Sequence, residues 1–435
     1  MSSRLHWRRS ATALWLWSSV ALGILGTIVA ARVLGLEEFG VYATTFAAVG
    51  FFQVLVDLTV EESLTKYGFR YVAAQDWGRL RRLFRSMVVL KVAGGALGSV
   101  VLVAVAPVAD GLFGADGVTQ ALLAAALLPL VQSVENVGAT ALLLHSRYDL
   151  RGLYQAGSAA LRLAAIVIGV SMGVVEVFVA IVIAQVIASA TISAAGVVAL
   201  RRFPSAPSRP LADDVPGIRS FVLQSSVATG VISLRTTLVP MLLGVVAGPT
   251  QVGLFRIAQT PQTGLAAASS PVRLVLMTEQ TRDWEKGERA GVFAGLRSYT
   301  RAAGALMIVA VPLFFMAMTW LVRTVFGSEY DGAVTAARIV LVAAAAQFAL
   351  GWTKSFPVTI GRPRLRIVTH GLEAIVAIPL VVVLGAAWGA TGAAVAVLLS
   401  TLVFVAAWTV VMVRLRGEFQ VRESGDSGEI RAVTP

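Results

Sequence analysis

The sequence predicts an all-α polytopic membrane protein of about twelve transmembrane helices in two parallel-repeat six-helix lobes around a central cavity. Three observations carry that expectation: apolar blocks of spanning length, basic residues confined to alternate connections, and landmarks that recur in the second half. Of the 435 residues, 57% are hydrophobic and 14% charged, with a mean hydropathy of +0.79. A soluble domain carries roughly 25% charged residues. The apolar blocks have the length needed to cross ~30 Å of hydrocarbon at ~1.5 Å per residue. They run approximately over 11–31, 40–63, 86–109, 118–145, 152–172, 175–200, 218–246, 250–277, 296–321, 331–353, 367–387 and 390–413. Arg8 and Arg9 before the first block resemble a secretory leader, but the block outlasts the usual ~7–15-residue apolar core and reads as an uncleaved first helix.

The net charge of +12 is distributed as topology rather than as a nucleic-acid patch. Of the 36 Lys and Arg, 28 fall in the tails and even-numbered connections, against Arg32 and Arg323 in the odd-numbered ones. Short basic loops stay in the cytoplasm during insertion, so both termini are expected there.

The second observation about organisation is the stretch 201–217, which holds four Pro and separates a first lobe (1–200) from a second (218–413), with 414–435 as a flexible cytoplasmic tail. The phrase from Gly35 to Tyr42 recurs from Gly248 to Phe255, and Phe113-Gly114 recurs as Phe326-Gly327, both 213 positions later. Arg147, Leu150 and Arg151 match Arg362, Leu365 and Arg366 at an offset of 215. Six helices per half make the repeat parallel, about an axis along the membrane normal.

Ionisable groups inside spans are costly, which makes them functional candidates. Arg235 lies just past the middle of the seventh span, and reflecting the hairpin about Gly248 brings Gln259 and Gln262 to a similar depth, with Arg256 nearer the outer face. This belt suits a phosphate, which a guanidinium grips through paired donors. The alternative is that Arg256 snorkels outward and Arg235 bonds backbone freed by Pro240 or Pro261. Glu135 and Arg162 reflect about the loop 146–151 and are expected to pair structurally, with Glu135 the alternative site for a coupling ion. Asp57 is the other candidate for a coupling cation, H+ or Na+; Glu61 and Glu62 read as solvated. Lys354, His370 and Glu373 read as a network at the cytoplasmic mouth, and the segments around Trp77 and Trp284 as interfacial helices.

Zero Cys and three scattered His leave no metal-ligand cluster, and GxxxxGK[ST] does not occur. Neither a resident cofactor nor an enzyme activity is expected.

The run Arg32-Val-Leu-Gly-Leu-Glu-Glu-Phe-Gly-Val-Tyr42, echoed at Gly253-Leu-Phe-Arg-Ile-Ala258, resembles the opening of the polysaccharide-type (Wzx-like) flippases of the multidrug/oligosaccharidyl-lipid/polysaccharide exporter superfamily. The resemblance implies two six-helix lobes forming a V, moving undecaprenyl-pyrophosphate-linked oligosaccharide to the outer leaflet with energy from ion gradients. It also implies cavity arginines on the pyrophosphate, a role Arg235 and Arg256 are placed to fill. Membrane lipids, and polysaccharide polymerase or ligase machinery, are the implied partners, and a monomer the implied state. Two other functions stay open: an organic-cation extruder of the multidrug branch, favoured by Asp57 and Glu135, and a membrane polysaccharide polymerase, disfavoured by the short outer loops.

Overall fold

The computed structural model describes residues 2–430 except 57, 268–279, 281, 282, 285, 287 and 363. Its described residues form helices, labelled α1 (Ser2–Val56), α2 (Glu61–Ala73), α3 (Trp77–Val105), α4 (Val118–Leu144, in three pieces), α5 (Tyr148–Gly169) and α6 (Val174–Arg201). After the Pro-rich connection come α7 (Asp214–Ala247), α8 (Pro249–Ala258), α9 (Arg289–Val325), α10 (Ala333–Ala349) and α11 (Arg364–Ile430). Seven of these are long and apolar enough to cross a membrane, eight if the bent α7 is one span. The predicted eighth segment is helical from Pro249, apart from a turn at Gln259, and leaves the described residues at 268.

Two of these helices are hairpins. A straight 55-residue helix would be ~80 Å long, yet Leu16 and Phe46 of α1 line one cavity, so the chain folds back. It does so at Gly35, whose φ of 74° and ψ of 174° lie where only glycine rests without strain. α11 turns at Trp388 and Gly389, which brings Phe404 onto His370 with ring centroids 4.9 Å apart. The repeat predicted from sequence has a backbone counterpart: Gly248, 213 positions after Gly35, adopts φ 84° and ψ 167° and likewise opens the next helix.

Connections cluster at two ends. At one end Arg32 donates to the Thr324 and Val325 carbonyls, the latter at 2.7 Å, and the Tyr330 hydroxyl donates to the Ala31 carbonyl at 2.7 Å. At the other, Trp77 and His145 stack on Phe203, and Asp214 accepts from Arg70 (3.1 Å) and Tyr71 (2.8 Å). This second end carries the Arg-rich connections and is called here the basic end.

Some local expectations change. Trp77 does not open a separate surface helix; it starts α3, with Asp76 capping the Arg79 amide at 3.0 Å, so the basic segment is the first turns of the span. Glu61 is not simply solvated: it pairs at 3.3 Å with Lys91, whose side chain is 1% exposed. The tail expected to be flexible from 414 begins as a continuation of α11, with Glu418 2.9 Å from Arg362.

The two halves meet most closely between α1 and α8. A Cβ on Gly40 would sit 2.6 Å from the Pro249 carbonyl oxygen and 2.8 Å from the Thr250 nitrogen. Gly253, 213 positions on, packs back against Gly40. Repeat-equivalent residues that touch each other lie on the axis relating the repeats. Phe39 against Tyr330, edge-on at 5.9 Å, extends this closure toward the Arg32 end.

Candidate functional site

A cavity of about 480 Å³ lies between α1, α4, α5 and α8. It begins beneath the Gly40–Gly253 contact at Tyr42 and Arg256 and runs to Arg151 in the first turn of α5, at the basic end. Among the described residues three arginines line it, Arg151, Arg162 and Arg256, against a single carboxylate, Glu135. Between them stand Asn136, Gln155, Ser158, Gln259, Thr260 and Thr263, while Tyr42 and Phe46 make an aromatic wall braced by Phe178.

How α4 is built explains where Glu135 sits. Pro129 lacks an amide hydrogen and cannot continue the preceding ladder, so the span is divided at 126–127; it breaks again at 133–134. Glu135 thereby becomes the first residue of the final piece, where the helix dipole favours a carboxylate. Its Oε1 accepts from the Tyr154 hydroxyl at 2.5 Å, the Ser189 hydroxyl at 2.9 Å and the Gln185 amide.

The predicted Glu135–Arg162 ion pair does not form. Gln185 from α6 stands between them, donating to Glu135 while its carbonyl oxygen accepts from Arg162 at 3.1 Å and from Gln132 at 3.1 Å. Reflection about a loop fixes depth along two helices but not azimuth, and the break at 133–134 turns Glu135 toward α6. Replacing Glu135 with alanine would strip the acceptor from three buried donors. We expect a stability loss of at least ~2 kcal/mol, read as a lowered unfolding temperature in detergent, with Glu135→Gln losing less because its amide oxygen still accepts.

Of the residues expected to bind substrate, Arg256 and Gln259 are together in the cavity. Gln262 is not among its lining residues: it donates to Gln347 at 3.0 Å in a separate cluster of the second half. The side chain of Arg235 and all of Asp57 lie outside the described residues. The arginines that do join Arg256 were assigned otherwise from sequence, Arg162 to an ion pair and Arg151 to a cytoplasmic loop. Arg256 and Arg151 make no side-chain hydrogen bond or ion pair to the described residues, so both guanidinium groups are available to a ligand.

Comparison with known proteins follows the same lines. A family model described as polysaccharide biosynthesis protein matches residues 29–335. The Escherichia coli K12 inner membrane protein YghQ is 32% identical over 123 residues, which is 27% of this chain and spans 32% of that protein's length. Among solved structures, the lipid II flippase MurJ in an inward closed conformation superposes with a TM-score of 0.72 at 13% identity, covering 91% of this chain and 86% of that one. A multidrug resistance MATE family transporter of the MOP superfamily, inward-facing, gives 0.66 at 14% identity, with 91% and 99% covered. A MOP superfamily transporter from Pyrococcus furiosus, described as having a binding pocket of reversed polarity, gives 0.63 at 12%, with 94% and 95% covered. At these identities the likeness is one of fold: a polytopic, all-α architecture.

Proposed function

Because this chain belongs to the polysaccharide biosynthesis protein family, we propose that it is a flippase that moves polyprenyl-pyrophosphate-linked oligosaccharide from the cytoplasmic to the outer leaflet by alternating access. The observation that carries this reading is the charge of the cavity, where the described residues place three arginines against one carboxylate among amides and hydroxyls. Carrying a diphosphate and sugars bare through hydrocarbon costs many kcal/mol. Paired guanidinium donors replace the water around the phosphates, and the amides and hydroxyls do the same for the first sugars. The isoprenoid tail can stay in lipid. An organic cation would be repelled by the same lining, which disfavours the multidrug reading.

The direction follows from the basic loops. If these face the cytoplasm, as the positive-inside rule requires, the Gly40–Gly253 closure is the outer seal and the cavity meets cargo from the cytoplasmic side. The protein then works as a multi-pass component of a bacterial plasma membrane, with both ends in the cytoplasm, handing cargo to polymerase or ligase machinery. A coupling H+ or Na+ belongs to this reading, with Glu135 in the cavity wall as one candidate.

Leaflet-resolved translocation of a fluorescent undecaprenyl-pyrophosphoryl oligosaccharide in proteoliposomes is the test. Transport of this lipid and none of a lipophilic cation is expected. Cation extrusion without lipid translocation, by protein of intact fold, would replace this reading with the multidrug one.

A further inference from the structure

A second concavity lies between α9 and the last limb of α11, and it shares no lining residue with the cargo cavity. On α11 the residues Val405, Trp408, Thr409, Met412, Val413 and Arg416 recur at helical spacing and so form one stripe of the helix. Leu296, Arg297 and Thr300 of α9 make the opposite wall. The 3-10 turn Gly351–Lys354 enters between the two helices. Its Trp352 donates Nε1–H to the Thr300 hydroxyl at 2.9 Å and meets Trp408 edge-on, with ring centroids 5.3 Å apart. The wedge leaves a cleft of about 240 Å³ beside it.

The cleft is charged at one end and apolar at the other. Arg416 and Arg297 lie toward the basic end of the molecule, while Val405 is three turns before Arg416, ~16 Å nearer the middle of the span. Val413 is 67% exposed and belongs to the apolar surface that faces lipid. Arg297 also lines an adjoining hollow with Arg301. Arg297, Arg301 and Arg416 are exposed and make no side-chain hydrogen bond or ion pair to the described residues. Among the described residues no carboxylate lines the cleft, and Glu418, two positions beyond Arg416, is spent on Arg362 at 2.9 Å. The Trp408 Nε1–H is buried with no acceptor among the described residues. Buried donors are nearly always met, and a headgroup oxygen, or a water held by one, would meet this one.

We propose that this cleft binds an anionic phospholipid of the adjoining leaflet, with the phosphate between Arg297 and Arg416 and one acyl chain along Val405, Met412 and Val413. Arginines near the end of a span commonly snorkel to water, and that alone draws anionic lipid diffusely. Here guanidinium groups from two helices line one cleft beside two tryptophans, the ring that sits at headgroup depth, so a single phosphate accepts from both. A zwitterionic headgroup would bring its ammonium into the same cluster of cations, so the cleft selects against it. The volume is below the ~300 Å³ at which drug-sized pockets begin, so the cleft takes the phosphate-bearing end and leaves most of both chains in the bilayer. The lipid then fills the gap between α9 and α11 and ties the two helices together. With the orientation proposed above the leaflet is the cytoplasmic one; the site itself rests neither on that orientation nor on the cargo.

The chain has no Cys, so a single fluorophore reads the site. A bimane label on Val410→Cys sits beside the cleft without lining it, at a position 51% exposed. A label on Val198→Cys of α6, 52% exposed and close to Arg201 and Arg202, reports diffuse attraction at the same end of the first half. Each full-length protein is reconstituted in phosphatidylcholine vesicles with dibrominated phosphatidylglycerol or dibrominated phosphatidylcholine as the quencher. At Val410 we expect phosphatidylglycerol to bind about tenfold better than phosphatidylcholine, the worth of one charge-assisted hydrogen bond, against about twofold or less at Val198. Arg297→Gln and Arg416→Gln should each lower the preference at Val410 to that at Val198.

Thermal melts of the unlabelled chain in detergent separate a lipid site from a site for a free anion. Phosphatidylglycerol should raise the unfolding temperature, as any ligand of the folded state does, while inorganic phosphate should leave it unchanged. Equal quenching by the two lipids at Val410, with both arginines present, would overturn the proposal without either arginine variant having to fold. So would a preference that survives in the double variant Arg297→Gln, Arg416→Gln. A rise in unfolding temperature as large with phosphate as with phosphatidylglycerol would give the cleft to a free anion instead. Displacement of the brominated phosphatidylglycerol by a far smaller amount of undecaprenyl phosphate would give it to a cargo-type lipid.

Discussion

Arg256→Ala is expected to cut translocation of a pyrophosphate-linked lipid by about 10- to 150-fold, the worth of one charge-assisted hydrogen bond at ~1.5–3 kcal/mol. The protein should fold as well as before. Arg256 spends no side-chain hydrogen bond on its neighbours, so removing it orphans no buried group, and the unfolding temperature should stay or rise. Arg256→Lys should restore only part of the rate, because a point charge cannot grip a phosphate with two parallel donors. Arg162→Ala should lose transport too, but with a stability cost, since Gln185 would lose the donor that fixes it between Glu135 and Arg162. Proteoliposome rates alongside thermal melts separate the two cases. An Arg256→Ala protein that melts normally and transports at the native rate would remove the arginines from the cargo site.

The second large effect is conformational. Gly40→Ala places a methyl 2.6 Å from a backbone oxygen that cannot swing aside. Overpacking of this kind costs ~1–3 kcal/mol, and here it falls on the closed conformation alone. That shifts a two-state balance by about 5- to 150-fold toward the open form. The distance between spin labels on Val33→Cys and Ser328→Cys, exposed positions on either side of the closed end, should lengthen, and transport should slow because the closed step is penalised. Gly138→Ala makes an equally tight clash, 2.6 Å from the Ile192 carbonyl oxygen, but within one half. It should lower the unfolding temperature and leave the label distance as it was.

Much of the architecture was legible in the residues because a bilayer imposes its own periodicity. Apolar block length picked out the long helices, and a repeat offset of 213 picked out Gly35 and Gly248, whose backbones prove nearly superposable. The site was half legible. Arg256 and Gln259 were found by depth, a one-dimensional quantity that sequence supplies. Arg151 and Arg162 were missed as cavity residues because their arrival depends on α5 packing beside α1, which depth does not encode. Gln262 failed for the same reason: three residues from Gln259, it is turned toward α10 rather than α1. His370 and Glu373 were read with Lys354 as a network at the cytoplasmic mouth, but the ring that covers His370 is Phe404, thirty-odd residues away across the fold-back of α11.

The contact between Gly40 and Gly253 also bears on descent. A half-length ancestor pairing with itself in parallel would have set one and the same glycine on both sides of its two-fold axis, so any change there struck both sides together. Fusion into one chain released that constraint unevenly. A methyl at 253 would meet Gly40 atoms no nearer than 3.2 Å, a misfit small backbone shifts absorb, whereas one at 40 meets the start of α8 head-on. Drift in descendants of the fused gene is therefore free to replace the second glycine by alanine long before the first.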